Sequence, residues 1–328
     1  NWSDASYMRE RLASRAYEAL QVPVARTAYA AVEVDDMYLG IYTMVQPIDK
    51  KFLKAHYGAG GGLDDGNLYK CSRTESNHCR LQWRGSNKSD YISNEDCPVG
   101  YDECGLLLKT NEDDAQLNDY SDLIHFLDVV NNSSDAEFQQ QIEEVFEVDS
   151  FLRLAAVTIG LSSFDSYFGM GNNFYLYHRP DTGRFEMIPW DFNMTYGNFS
   201  CGHPQDPDPA IPNSDMTRAA VDGSFCGSAE EDYPLAERIF AVPEYLATYQ
   251  GYLRELAEGV LTPAQQQAWI DEFDGLIGAG IAPDPNYPGG YDDYLEALGS
   301  NPSGGWGGYN LMDFVQRRQA YILENTPG

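Results

Sequence analysis

The order of periodic segments along the chain predicts an α+β fold in two parts: a small β-rich part over about residues 1–115, and a larger, mainly helical part over 116–328 with a hairpin embedded at 173–190. Three observations carry that prediction. Two β-rich runs, 27–34 (TAYAAVEV) and 38–46 (YLGIYTMVQ), flank Asp35-Asp36, which reads as a short hairpin turn. Apolar residues then recur at helical spacing over 119–131, 135–147 and 149–161. Beyond these, 173–178 and 184–189 read as strands joined by Arg179-Pro180-Asp181-Thr182-Gly183, a run of turn formers. A small β-rich lobe against a helical one is an arrangement that leaves a cleft for a ligand.

The remaining elements follow in order. Residues 3–20 read as a helix capped by Ser3 or Asp4, with Met8, Leu12 and Ala16 on one face. Pro47-Ile48-Asp49 opens a basic helix, KKFLKAHY, that stops in the glycine cluster at 58–62. Residues 67–71 (NLYKC) form a strand, and the Leu106–Leu108 run before Lys109 forms a buried one. Between them, 71–104 holds four cysteines and reads as a stapled excursion. Helices are expected over 233–241, 243–259, 263–278 and 309–324, with Pro263 after Thr262 suited to a first helical turn. The Pro-, Gly-, Asp- and Tyr-rich stretches 198–232 and 282–308 read as loops.

Composition sets outer bounds. Of 328 residues 43% are hydrophobic, enough for a real core. The formal charge is −30, which repels nucleic acid and anionic membranes and suits a saline setting or divalent cations. A phosphate ligand would then need a local basic patch or bridging metal ions. There is no apolar run of 18 residues, so no membrane span is expected, and the start at Asn1 reads as a processed end with no signal peptide. Six cysteines without a CxxC pair, beside only five histidines, point to three disulfides and an oxidising compartment rather than zinc. That implies a secreted or cell-surface protein. Neighbour pairing, 71–79, 97–104 and 201–226, is the simplest of the connectivities open to the chain.

The densest polar and aromatic cluster runs from Asp165 to Asn198. Asp165 follows a helix end, Asn172 and Asn173 precede one strand, and Asp191 ends the next, so a hairpin can bring them together. Oxygen ligands in that order suit divalent ions on phosphates: an Asp to accept a hydroxyl proton, then an Asn and an Asp to hold metal. The same residue types also serve as turn formers and caps. Along the strand, Phe174 and Leu176 should face one way and Tyr175 and Tyr177 the other, one set being core. Trp190 reads as a core residue beside Asp191. No P-loop, GxGxxG or GxSxG motif is present, and the acidic runs, among them Asp64-Asp65 and Asp292-Asp293, read as solvated loops.

The run NNFYLY, a turn, then RFEMIPWDFNMTYG resembles the signature of the CotH kinase family of spore-coat-type atypical protein kinases. WSDASYMRERLA, YLGIYTMVQPIDKKFL, GNLYKC, YPLAERIFAVPEYLATYQGYL and DFVQRRQAYI resemble further blocks of that family in the same order, so the likeness covers nearly the whole chain. The resemblance implies a single kinase-like bilobal domain that transfers the ATP γ-phosphate to a protein substrate with Mg²⁺ or Mn²⁺, Ca²⁺ being a further option. It implies Asp165 as the catalytic-loop aspartate, Asn172 or Asn173 as the metal-binding asparagine, and Asp191 as the metal-binding aspartate. Lys70, on its strand, is the first candidate for a phosphate contact and Lys109 the second; a surface lysine is the alternative reading of each. Two positions depart from the family pattern. Asn193 stands where members commonly carry a second acid, and Gln46 where many carry Glu. Asn193 still offers a carbonyl oxygen to a metal, and Gln46 belongs to the expected phosphate site without a charge. These departures support a second expectation: a catalytically weak or inactive kinase-fold module that acts as a surface binding or assembly protein.

Overall fold

Helix formation begins later than the apolar spacing suggests, because Asp4 first closes a loop. Its carboxylate accepts the backbone N–H of Ser6 and of Arg9 (3.0 Å each) and pairs with the Arg9 guanidinium at 2.6 Å. In this computed structural model, which describes residues 4–58, 62–72, 78–95, 97–199, 215–222, 233–286, 290–299 and 309–328, helix α1 therefore runs only over Arg9–Ala19. Met8, Leu12 and Ala16 are fully buried, as the spacing requires.

The hairpin β1 (Thr27–Val34) and β2 (Met37–Val45) forms a two-stranded sheet of its own, turning through Asp35 and Asp36 at φ 50° and 61°. Asp and Asn are the residues other than glycine that enter this region most readily. Asp49 caps α2 (Lys50–Tyr57), accepting from the N–H groups of Lys51 and Phe52.

The main sheet holds β3 (Leu68–Ser72), β4 (Ile92–Ser93), β5 (Cys104–Leu108), β6 (Phe174–His178) and β7 (Phe185–Pro189) in the order β4-β5-β3-β6-β7, all antiparallel. The sheet joins strands from before and after residue 115, since β6 of the embedded hairpin pairs with β3. Both faces are buried. Phe174 and Leu176 belong to the main core, whereas Tyr175 and Tyr177 pack with Leu68, Ile188, Phe52 and Leu53 in a second cluster. The predicted alternation is correct, but each of the two sets is core, because α2 covers the second face.

The helices α3 (Ser121–Asn132), α4 (Asp135–Val145) and α5 (Val148–Gly160) lie close to their expected bounds. A four-residue helix α6 (Tyr167–Met170) comes next, too short for periodicity to signal. Further on come α7 (Pro234–Phe240), α8 (Pro243–Glu255), which ends in a π-helical turn at Leu256–Val260, and α9 (Pro263–Ile281). The stretch expected as a loop over 282–308 contains α10 (Gly290–Leu298), which buries Tyr294 and Ala297; Tyr294 donates from its hydroxyl to Asp274 at 2.8 Å. The nearby Gly and Pro residues hide this short apolar spacing. Asp292 and Asp293 lie in its first turn, where negative charge is favourable, rather than in a loop. The last helix is α11 (Leu311–Asn325).

Cys71–Cys79 and Cys97–Cys104 are disulfide-bonded, matching neighbour pairing and compatible with an extracellular or surface location. The expected 201–226 pair and most of the loop over 198–232 lie outside the described residues. Among the described residues, no helix is long and apolar enough to cross a membrane.

The helical part is tied together by Arg318 of α11, which is fully buried. Its guanidinium donates to the carbonyls of Ile159 (2.8 Å), Gly160 (3.2 Å), Thr217 (3.4 Å) and Ala219. Burial lowers its pKa to about 10, so it remains charged at neutral pH. Replacing it by Met would fill the space but leave those carbonyls without donors. Arg318→Met should therefore lower unfolding free energy by about 3 kcal/mol or more in urea titration. A loss under about 1 kcal/mol would show that these bonds are replaceable by water.

Candidate active site

Asp165 is reached by the chain five residues after α5 ends at Gly160. The turn to it is held tightly: Tyr196 N–H donates to Leu161 O (2.8 Å), Ser162 Oγ to Met216 O (2.7 Å) and Ser166 Oγ to Ser163 O (2.5 Å). Short helix α6 packs so closely that a Cβ on Gly169 would lie 1.9 Å from Phe164 O, so no side chain fits there. Gly171 then turns the chain at φ 60°, and Asn172 and Asn173 lead into β6.

Both asparagines point at Asp165. Asn172 Nδ2 donates to Asp165 Oδ1 at 2.9 Å; Asn173 Nδ2 donates to Asp165 O at 2.8 Å and to Oδ2 at 3.2 Å. The Oδ1 of Asn172 is buried and has no hydrogen-bond partner among the described residues. Across the hairpin, Trp190 N–H donates to Asn173 O at 3.0 Å, closing the two feet together. Asn173 and Asp191, one at each foot, both adopt left-handed backbones, φ 55° and 62°. Asp and Asn are the residue types other than glycine best suited to this conformation.

Asp191 feels its surroundings strongly. The protein around it and then the negative charge of Asp165 push its carboxyl above the usual carboxylate value, while the Asn193 N–H and the positive Lys70 pull it back. Lys70, on β3, is pushed below the ordinary lysine value, first by burial and then by Lys109, with Asp191 opposing. Its ammonium lies 5.9 Å from the Tyr175 ring centre. The fold thus brings Asp165, Asn172, Asn173, Asp191, Lys70 and Lys109 into one electrostatic neighbourhood. Two predicted residues fare differently. Asn193 contributes its backbone N–H to Asp191, while its own carbonyl accepts from Asn198 Nδ2 at 3.2 Å. Gln46 is engaged by Arg26: its Oε1 accepts from Arg26 Nε at 3.0 Å. Trp190 is half-buried, packed edge-on to Tyr175 at 6.0 Å.

Residues 1–322 match the family described as CotH kinase protein. The chain belongs to the CotH kinase protein family. It is also similar to inner spore coat protein H of Bacillus subtilis (strain 168), 25% identical over 201 residues, which are 60% of this chain and 48% of that protein. The chain thus matches about half the length of this CotH-family relative.

Two groups in this CotH chain were not signalled by its sequence. One is Glu10 of α1, whose Oε2 accepts the Phe192 N–H at 2.6 Å, directly after Asp191, and whose Oε1 is buried without a partner among the described residues. A glutamate in an amphipathic helix gives no sign of burial; only its fall on the face of Ala13 and Tyr17 could have done so. The other is Asp122, which accepts from Tyr69 Oη (2.6 Å) and Asn67 Nδ2 (2.9 Å) and lies 3.0 Å from His178 Nδ1. This cluster locks α3 to β3 and β6.

Glu10 has a measurable consequence. Burial first, with Asp191 and Asp4 adding, raises its pKa from 4.5 to about 7, against the pull of the Phe192 N–H. A carboxyl that holds its proton more tightly when folded makes stability fall as pH rises from about 4.5 through about 7. Gln imitates the protonated form. In chelator, Glu10→Gln should be more stable than the parent at about pH 8, by on the order of 3 kcal/mol, and should lose that advantage by about pH 4. Parallel pH profiles of the two proteins in thermal unfolding would refute the assignment.

Proposed function

We propose that this CotH-family chain is a kinase-type phosphotransferase, secreted or at a cell surface, that moves the ATP γ-phosphate to a hydroxyl of a protein substrate. The observation that supports it most is the pairing of Asp165 with Asp191 across the hairpin feet, beside the unpartnered Oδ1 of Asn172. Two mutually repelling carboxyls and an orphaned carbonyl oxygen fit a hard divalent ion, Mg²⁺ or Mn²⁺ with Ca²⁺ a further fit. Such an ion, when bound, supplies positive charge to the phosphates. In this reading Asp191 and Asn172 hold it, with Asn193 as a neutral neighbour. The choice of Asn172 over Asn173 rests on the amide bonds: both Nδ2 groups orient Asp165, and Asn172 keeps a buried oxygen to offer.

Asp165 would accept the proton of the incoming hydroxyl, held at a fixed angle by the two amides. Lys70, partly desolvated, would meet a phosphate oxygen, with Lys109 behind it; Coulomb attraction is stronger for a cation so placed. The cleft would lie between the β-rich part up to about residue 115 and the helical part after it, the bilobal arrangement expected from the sequence.

A second reading keeps the fold and drops the turnover. Asp165 has both carboxylate oxygens engaged by amides, and Asn193 and Gln46 are neutral. A weak or inactive module would then serve surface assembly, a setting suggested by the relative's name, inner spore coat protein H.

Incubation with γ-labelled ATP and Mg²⁺ or Mn²⁺ separates the two. The kinase reading expects label on protein, reduced at least ~100-fold by Asp165→Ala and by Asp191→Ala, and by Lys70→Met to a similar degree. Activity that survives Asp191→Ala overturns the metal assignment. No label and no nucleotide binding would leave the assembly reading in place.

A further inference from the structure

Charge is not spread evenly along this chain. Up to residue 54 it carries seven basic and seven acidic residues; after it, fourteen and forty-four. The whole net charge of −30 therefore belongs to the later part, and α1, the β1–β2 hairpin and α2 carry no net charge of their own on a strongly negative molecule.

Among these elements a cleft of about 770 Å³ opens between α1, the connector 21–27 and the end of α2. Its walls carry Arg11, Arg15 and Arg26, with Glu18 and His56 as the other titratable groups. None of Asp165, Asp191, Lys70 and Lys109 lines it. The guanidiniums are in different states. Arg15 is already bidentate with Glu272, at 2.8 and 2.6 Å. Arg11 makes no hydrogen bond or ion pair among the described residues; it rests against the rings of Tyr29 and Phe273, 4.6 and 4.5 Å from their centres. Ring contacts fix a guanidinium's position but leave its N–H groups unbonded. Arg26 meets the neutral Oε1 of Gln46 at 3.0 Å and no carboxylate among the described residues.

Unpaired arginines are unexpected in a chain where acids outnumber bases by 51 to 21. Chance pairing would have consumed them first. We propose that this cleft is a second ligand site, for a small phosphate-bearing anion gripped by Arg11 and Arg26. Guanidinium forks on separate walls suit an anion with several oxygens better than a single carboxylate, and the cleft has room for more than one phosphate. Gln46 then has a role apart from the active centre: it orients Arg26 without neutralising it. Positive charge in the cleft also bears on His56, held below its ordinary value by burial first and by Arg26 as well. The site does not depend on the kinase reading.

Calorimetric titration of the full chain with inorganic pyrophosphate tests it, with a chelator present so that no metal can bridge phosphate to Asp191. Gln46→Glu preserves shape and sets a carboxylate beside Arg26; it and Arg26→Gln should each weaken binding by at least about tenfold. Asp191→Ala should bind as the parent does. Thermal midpoints of the variants show that they fold. A parallel titration with O-phosphoserine, if tighter, assigns a phosphate monoester rather than a diphosphate. Absence of binding to either probe overturns the proposal, as does affinity unmoved by both arginine-site variants. So does loss of binding on Asp191→Ala, which would return the anion to the active centre. Failure of the labelled-ATP experiment touches none of these outcomes.

Discussion

Arg318 carries a full charge into a position with no exposed surface, and carbonyls from two distant segments absorb it. Ile159 and Gly160 are the last residues of α5, whose carbonyl end is the negative pole of the helix. Thr217 and Ala219 belong to the turn after Asp215. One side chain therefore fixes where α5 stops, and the loop to Asp165 starts from that stop. The same turn is held from other sides: Tyr309 Oη accepts the Met216 N–H at 3.0 Å and donates to Asp215 at 2.9 Å, and Arg317 pairs with Asp215 at 2.6 Å. Arg9 of α1 donates to Tyr309 O in turn. A buried cation satisfied by carbonyls from two segments costs free energy to uncover, which opposes separation of those segments. The candidate site inherits that constraint without any of these residues reaching it.

The site itself is built by closing a hairpin at its feet. The Trp190–Asn173 bond closes it, and a left-handed residue stands at each foot. Beneath Asp191 the helix α1 contributes Glu10, which ties the Phe192 amide from below. The N-terminal segment is thus part of the site's support although Glu10 and Phe192 stand 182 positions apart in the chain. The Cys71 sulfur, 3.6 Å from Gly171 O, supports the asparagine turn from the β3 side.

Much of this was legible in the sequence where chemistry repeats at a fixed period. The strands and the long helices were found because an apolar face must alternate at two or at about 3.6 residues. The spacing of Asp165, the asparagine pair and Asp191 was legible because a hairpin converts sequence distance into spatial proximity. What was missed lacks periodicity. Helix α10 is hidden by flanking Gly and Pro, and α6 is one turn long. Helix α1 starts late because Asp4 commits its carboxylate to a loop rather than a cap. Glu10, Asp122 and Arg318 are charged residues that the sequence alone would assign to the surface; burial of charge depends on partners far away in the chain, which no local window contains. Gln46, named from the family likeness, follows the end of β2 and meets Arg26, a partner from the connector after α1 that the local sequence does not signal.

The composition poses a specific difficulty for the phosphate chemistry proposed above, and the two proposed sites differ locally from the bulk charge. A charge of −30 raises the free energy of any phosphate near the surface, and long-range fields of this kind weaken over a Debye length of about 8 Å in physiological salt. Only charges within that reach of a bound group decide its fate. At the hairpin feet the carboxyls of Asp165 and Asp191, and of Glu10 with its pKa raised to about 7, face Lys70 and Lys109, a balance far smaller than the bulk charge. In the α1–α2 cleft, Arg11, Arg15 and Arg26 outnumber Glu18 and Glu272. The acid excess lies elsewhere, and its screened field penalises an anion far less than the bulk number implies. Net charge therefore governs how the molecule meets large partners such as nucleic acid and membranes, while ligand chemistry follows the few charges in direct reach.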